Sequence, residues 1–198
     1  MKRSFQDQEG GRRAELLDLI LDYAQTHGLS GISLRPLAAA VGSSPRVLLY
    51  FFGSKEAIIQ EVLALNRDRQ RILVQEVLTV SGRDPAAVIS GLWRWLTDPQ
   101  QQRVIRLFFE GYARSLQPDP GPWQGFGQAS VREWLDLLSG VLDVPGVPEG
   151  SVDRQATLLL AALRGLLLDL LATGETERIT AALDDLLYAM ADRGHPIR

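Results

Sequence analysis

Apolar positions along this chain recur at spacings of three and four almost throughout, and no stretch alternates as a half-buried strand would. The pattern predicts an all-α protein of about nine helices. From about Arg12 to His27, Leu16, Leu17, Ile20, Leu21 and Ala24 fall on one helix face, and Gly28 stands where a left-handed C-terminal cap belongs. A second, short helix follows Ser33, a candidate N-cap, with Leu34, Leu37, Ala38 and Val41 on its inner face. Pro36 falls in its first turn, where a missing N–H does no harm. Gly42 ends that helix. Ser44 is placed to cap a third, with Pro45 at its first position. In the third helix Val47, Leu48, Phe51 and Phe52 make the inner face, and Ser44, Pro45, Arg46, Leu49 and Tyr50 look outward. The aromatic-rich run Leu48–Phe52 is thus a short two-faced helix rather than a buried strand. A long amphipathic helix is expected from about Lys55 to Val80. Others are expected near 85–97, 99–116, 128–142, 151–172 and 176–192, broken by Pro/Gly-rich loops at 117–127 and 144–150.

Two short helices joined at a glycine corner form a helix-turn-helix, whose second helix enters the DNA major groove with its N-terminal residues at the base edges. Ser43, Ser44 and Arg46 can hydrogen-bond phosphates or bases, and Arg46 suits guanine. Pro45, Leu49 and Tyr50 share the outward face with them, and Arg35 precedes them on the second helix. Lys55 can meet a phosphate through its own charge and through the helix N-terminus on which it sits. Lys2, Arg3, Arg12 and Arg13 are candidates for a basic arm on DNA. The formal net charge of −3 argues against nucleic acid, but it is unevenly spread. Residues 1–55 hold seven basic and five acidic side chains, the remainder 14 and 19.

The stretch "SLRPLAAAVGSSPRVLLYFFGSKEAI" brings a family into view. Residues 12–65 resemble the DNA-binding domain of the tetracycline-repressor-like (TetR) family of transcriptional regulators. The helix lengths, the Gly42 corner, Phe52 and "SKEAII" fall in register with the family pattern. The chain departs from that pattern at Val47, Leu49 and Phe51, where threonine, an aromatic residue and histidine are usual. The resemblance implies a three-helix DNA-binding domain over 1–54 and a helical ligand-binding and dimerisation domain over 55–198. It also implies a homodimeric repressor on a palindromic operator, released by a small-molecule effector.

The remaining chain adds detail. The helix at 151–172 is apolar nearly all round, more than one monomer core can use. With the last helix it is expected to pair with its own copy as a four-helix bundle, through Leu159, Leu163, Leu166, Leu170, Leu183 and Leu187. Trp93, Phe108, Tyr112, Trp123 and Trp134 are candidates for an apolar effector pocket. Glu110, with Arg106 and Arg114 four residues to either side, reads as a surface ion ladder.

No set of acid, base and nucleophile can be assembled, so no enzyme is expected, and His27 and His195 have no metal-ligand spacing, so no metal or cofactor is expected. The N-terminus lacks the apolar core of a signal peptide, and Leu158–Ala172 carries Arg164 and Asp169 and is short for a membrane span. With no cysteine in the chain, a cytoplasmic location is expected. The competing expectation is a helical ligand-binding or adaptor protein of the same fold that has lost DNA binding.

Overall fold

A computed structural model describes residues 2–29, 31–81, 84–144 and 150–192. For residues 2–8, 70, 73, 75, 77, 78, 80, 81 and 192 it describes the backbone alone. The side chains of Lys2 and Arg3, all of His195 and most of the 144–150 loop lie outside what is described. Among the described residues nine α-helices and no strand are present. They are α1 (Lys2–His27), α2 (Leu34–Ala40), α3 (Pro45–Phe52), α4 (Lys55–Ser81), α5 (Pro85–Thr97), α6 (Gln102–Ser115), α7 (Phe126–Leu142), α8 (Val152–Thr173) and α9 (Thr176–Asp192). The second Pro/Gly loop aside, the first one contains a single 3-10 turn at Gly121–Trp123.

The helices gather into two compact units. One comprises Met1–Ile72 with Arg103–Gly127, the other Leu73–Gln102 with Gln128–Arg198. This division does not follow the expected boundary after residue 54. The reason is packing: Ile58, Ile59, Val62 and Leu63 of α4, and Leu107 and Phe108 of α6, are buried in one cluster with Leu16, Ile20, Leu37 and Leu48. α1 and the two short helices α2 and α3 have too little apolar surface to close a core alone, so α4 and α6 complete it.

Two local details modify the capping expected in this unit. Ser33 occupies the N-cap of α2 in extended backbone, but its side chain accepts no capping hydrogen bond. Glu110 on α6 accepts from the Leu29 backbone N–H with both carboxylate oxygens, at 3.1 and 3.0 Å. It thereby ties α6 to the turn after α1, a role that the expected surface ladder did not foresee.

On α4, Asn66 is 1% exposed, and its Nδ2 has no hydrogen-bond partner among the described residues. A buried donor left unpaired costs about 1–3 kcal/mol. Asn66→Leu, of similar volume, is expected to raise stability by about that amount, read as a higher urea midpoint at unchanged slope. A lower midpoint would show that the amide is paired in solution.

The second unit is built on α8, which packs against α9 and α5. Ala156, Leu159, Leu160, Leu163, Leu167 and Leu170 of α8 are buried, with Ile89, Leu92 and Trp93 of α5 and Ile179 and Leu183 of α9. Arg164, the charge that interrupts the apolar run, donates to the buried Ser130 hydroxyl of α7 at 3.2 Å. The α8–α9 corner is clamped by Arg178, whose guanidinium meets both oxygens of Asp169 at 2.8 and 2.9 Å and also the Glu175 carboxylate. These hydrogen bonds hold the Asp169 carboxyl below its ordinary pKa. The α8 helix runs 22 residues, longer than the apolar stretch read from sequence, and by length and composition it is apolar enough to cross a membrane. Only about a third (33%) of its most apolar window is buried in the chain.

Candidate nucleic-acid interface

The corner between α2 and α3 is closed by backbone alone. The Val41 N–H donates to the Leu37 carbonyl at 3.1 Å, Gly42 to Ala39 at 3.3 Å and Ser43 to Ala38 at 2.8 Å. Gly42 sits at φ +62°, where a side chain would be strained. Ser44 then caps α3, its hydroxyl oxygen accepting from the Val47 N–H at 3.3 Å, with Pro45 opening the helix.

Leu48 and Phe52, four residues apart, are the buried anchors of α3, and Phe51 is half-buried. Val47 was expected inside, but it is 38% exposed. On a helix of eight residues the arc that meets the core is narrow, and Val47 lies about 100° round from Leu48. Of the expected DNA-contacting residues, Arg35, Ser44, Arg46, Leu49 and Tyr50 are exposed, while Ser43, Pro45 and Lys55 are half-buried. Arg46 and Tyr50, also four apart, share the outward side, and Tyr50 is 70% exposed.

Sequence reasoning missed one neighbour of this face. The α1 helix starts about three turns before the expected Arg12, running through Gly10 and Gly11 to Lys2. Glu9 is thereby brought to Tyr50, whose hydroxyl donates to its carboxylate at 3.1 Å. That hydrogen bond, and then the Glu9 charge, raise the Tyr50 phenol above its ordinary pKa. A Gly-Gly pair disfavours helix by about 1 kcal/mol per residue against alanine, so the sequence offered no signal for the extension.

Arg13 does not have the free arm role expected for it. Its Nη2 donates to both oxygens of Glu61 at 2.6 Å and its Nε to the Phe51 carbonyl at 3.2 Å, with the guanidinium 5.0 Å from the Phe52 ring centroid. It joins α1 to the end of α3 and to α4. Arg12 pairs with Glu15 at 2.7 Å.

No protein-family model matches the sequence, and no curated protein matches it. Solved structures do. A transcriptional regulator from Rhodococcus sp. Rha1 superposes with a TM-score of 0.77 at 24% identity, over 94% of this chain and 98% of that one. A TetR-family transcriptional regulator from Cytophaga hutchinsonii reaches 0.78 at 13% identity, over 92% and 96%. This chain has the TetR fold. NalD, the secondary repressor of the MexAB-OprM multidrug efflux pump in Pseudomonas aeruginosa, shares it at a TM-score of 0.58 and 16% identity, over 90% of this chain and 96% of that one.

Within this TetR fold the five candidate pocket aromatics do not gather in one compact unit. Phe108, Tyr112 and Trp123 belong to the first, Trp93 and Trp134 to the second. Trp93 is buried, and its indole N–H donates to Thr180 at 2.9 Å, so it serves to join α5 to α9. Phe108 stacks obliquely on Phe126 at 5.9 Å and on Tyr112 at 6.0 Å.

The six leucines expected between two copies are also placed differently. Leu159, Leu163, Leu170 and Leu183 are buried within their own chain, and Leu166 and Leu187 are half-buried. The exposed apolar stripe of α8 is Leu158, Ala161, Gly165, Leu168 and Ala172, with Leu158 44% and Leu168 50% exposed.

Proposed function

We propose that this protein is a sequence-specific DNA-binding transcriptional regulator, acting as a homodimeric repressor that a small apolar or aromatic effector releases from a palindromic operator. The observation that carries the reading is the division of α3. Leu48 and Phe52 hold it to the core, while Arg46 and Tyr50 stand outward from a corner that only backbone closes. Arg46 can pair with guanine in the major groove, Ser43 and Ser44 reach phosphates, and Lys55 supplies a cation at the start of α4. The exposed α8 stripe supports the dimer: positions 158, 161, 165, 168 and 172 follow the three-and-four spacing of a helix seam. Its small members let two helices approach closely.

The test is selection of bound sequences from a random DNA pool, then titration of the winner at two salt concentrations. A palindromic winner, bound far more tightly than random DNA, is expected. Arg46→Ala should then weaken operator binding by about 1–3 kcal/mol and relax one base-pair preference; unchanged affinity removes Arg46 from the contacts. Glu9→Gln removes a negative charge beside Tyr50 and should tighten binding two- to fivefold or so, the scale of a surface charge pair. Equal affinity of the two proteins would place Glu9 away from the phosphates.

One observation favours a second reading, a ligand-binding or adaptor protein of this fold without DNA function. Val47 and Leu49 put exposed apolar surface where polar contacts would serve DNA, and Glu9 occupies the Tyr50 hydroxyl. Failure of well-folded protein to enrich any sequence would select it.

A further inference from the structure

We propose that the start of α1 is an autoinhibitory strap on the outward face of α3, held there by Glu9 and released by unwinding at Gly10 and Gly11. This deepens the DNA reading of that face and rests on it. Glu9 and Arg13 lie four apart on one side of α1 and meet consecutive residues of α3. The Glu9 carboxylate accepts from the Tyr50 hydroxyl at 3.1 Å, and Arg13 Nε donates to the Phe51 carbonyl at 3.2 Å.

Glu9 and a DNA phosphate compete for Tyr50. A phenol has one O–H to donate, and in the free protein Glu9 holds it. A phosphate drawn to the same hydroxyl would stand beside the carboxylate, and the two negative charges repel. Rotation of the Glu9 side chain breaks the hydrogen bond but leaves the charge within a Debye length, about 8–10 Å, of the face. Carrying it further requires the backbone to move.

The backbone can give way at one joint. From Arg13 onward α1 is fixed, because Arg13 donates to both Glu61 oxygens at 2.6 Å and Leu16 is fully buried. Gly10 and Gly11 stand between that fixed body and the carboxylate. Both are exposed and helical, neither has a positive φ, and a Cβ on either would meet nothing within 4 Å. Neither a turn nor close packing calls for glycine there. What the pair does is loosen the helix, since each glycine disfavours it about fivefold relative to alanine.

Gly10→Ala with Gly11→Ala stiffens the joint without adding a tertiary contact. Affinity is measured on the duplex selected from the random pool and on a random-sequence duplex at low salt. On the selected duplex the alanine pair should bind about five- to thirtyfold more weakly than the parent protein, the scale of one to two glycine-to-alanine preferences. Glu9→Ala should bind more tightly than the parent, and in its presence the alanine pair should change affinity less than about twofold. A second arm needs no DNA. Tyrosine rings are labelled with carbon-13, and Tyr50 is assigned with Tyr50→Phe. The Tyr50 signals should move on Glu9→Ala and stay in place with the alanine pair. The proposal is overturned if the alanine pair leaves affinity unchanged, if its penalty persists without Glu9, or if the Tyr50 signals ignore Glu9. If no variant binds either duplex, the DNA reading fails and the strap with it, a result distinct from tight binding that the alanine pair does not alter.

Discussion

Leu48→Ala is expected to destabilise the first unit by about 2–5 kcal/mol. Leu48 is fully buried, and it is one of only two buried anchors on an eight-residue helix. A helix of that length has almost no stability of its own in water, so α3 holds its shape by what it buries. Removing the leucine leaves a cavity that Phe52 cannot fill from the next turn. The expected result is a large drop in thermal and urea midpoints and loss of any α3-dependent binding. Leu49→Ala, on the exposed side at 39%, should stay within about 0.5 kcal/mol of the parent protein. Equal losses for the two substitutions would mean that α3 is not seated as described.

The second large effect is expected at Leu168. If the exposed α8 stripe is the seam between two copies, Leu168→Arg places an unpaired charge at its centre. Such a charge costs about 3–5 kcal/mol, or roughly a hundredfold to a few thousandfold in the dimer dissociation constant. Sedimentation should then show a folded monomer where the parent protein is a dimer. Leu159→Arg is the contrasting change: Leu159 is fully buried within its own chain, so it should unfold the second unit instead of dissociating it. A Leu168→Arg protein that stays dimeric would move the interface off this stripe.

The same pair of residues shows why the sequence was readable in one half and not in the other. In the first unit the signals are local and one-sided. Gly42 has to be a corner, Ser44-Pro45 has to start a helix, and Leu48 and Phe52, on the side opposite Arg46 and Tyr50, mark its inner face. The fold and the outward set Arg46, Leu49 and Tyr50 were therefore legible, although Val47 was assigned one position too far inward. On α8, Leu158 and Leu159 or Leu167 and Leu168 are adjacent leucines of equal hydrophobicity. Periodicity reports two apolar stripes but not which one faces its own chain. A related ambiguity holds for the aromatic residues: a tryptophan that joins two helices, as Trp93 does, has the same sequence signal as one lining a pocket. Glu9 was hidden behind two helix-disfavouring glycines, and Glu110 behind its sequence neighbours Arg106 and Arg114.

Glu110 has a further bearing on Gly28. A Cβ added at Gly28 would stand 2.9 Å from the Glu110 Oε2. Moving that oxygen gives up one of the two contacts with the Leu29 N–H, at 3.0 Å, and leaves the other at 3.1 Å. Gly28 is also at φ +76°, so among larger residues asparagine tolerates its backbone best. The two positions are therefore not free to drift independently. A side chain at 28 would displace the Glu110 carboxylate from one of its two contacts with the Leu29 N–H, so a change at either position alters what the other tolerates. Related chains that keep glutamate at this point of α6 should more often keep glycine at the end of α1.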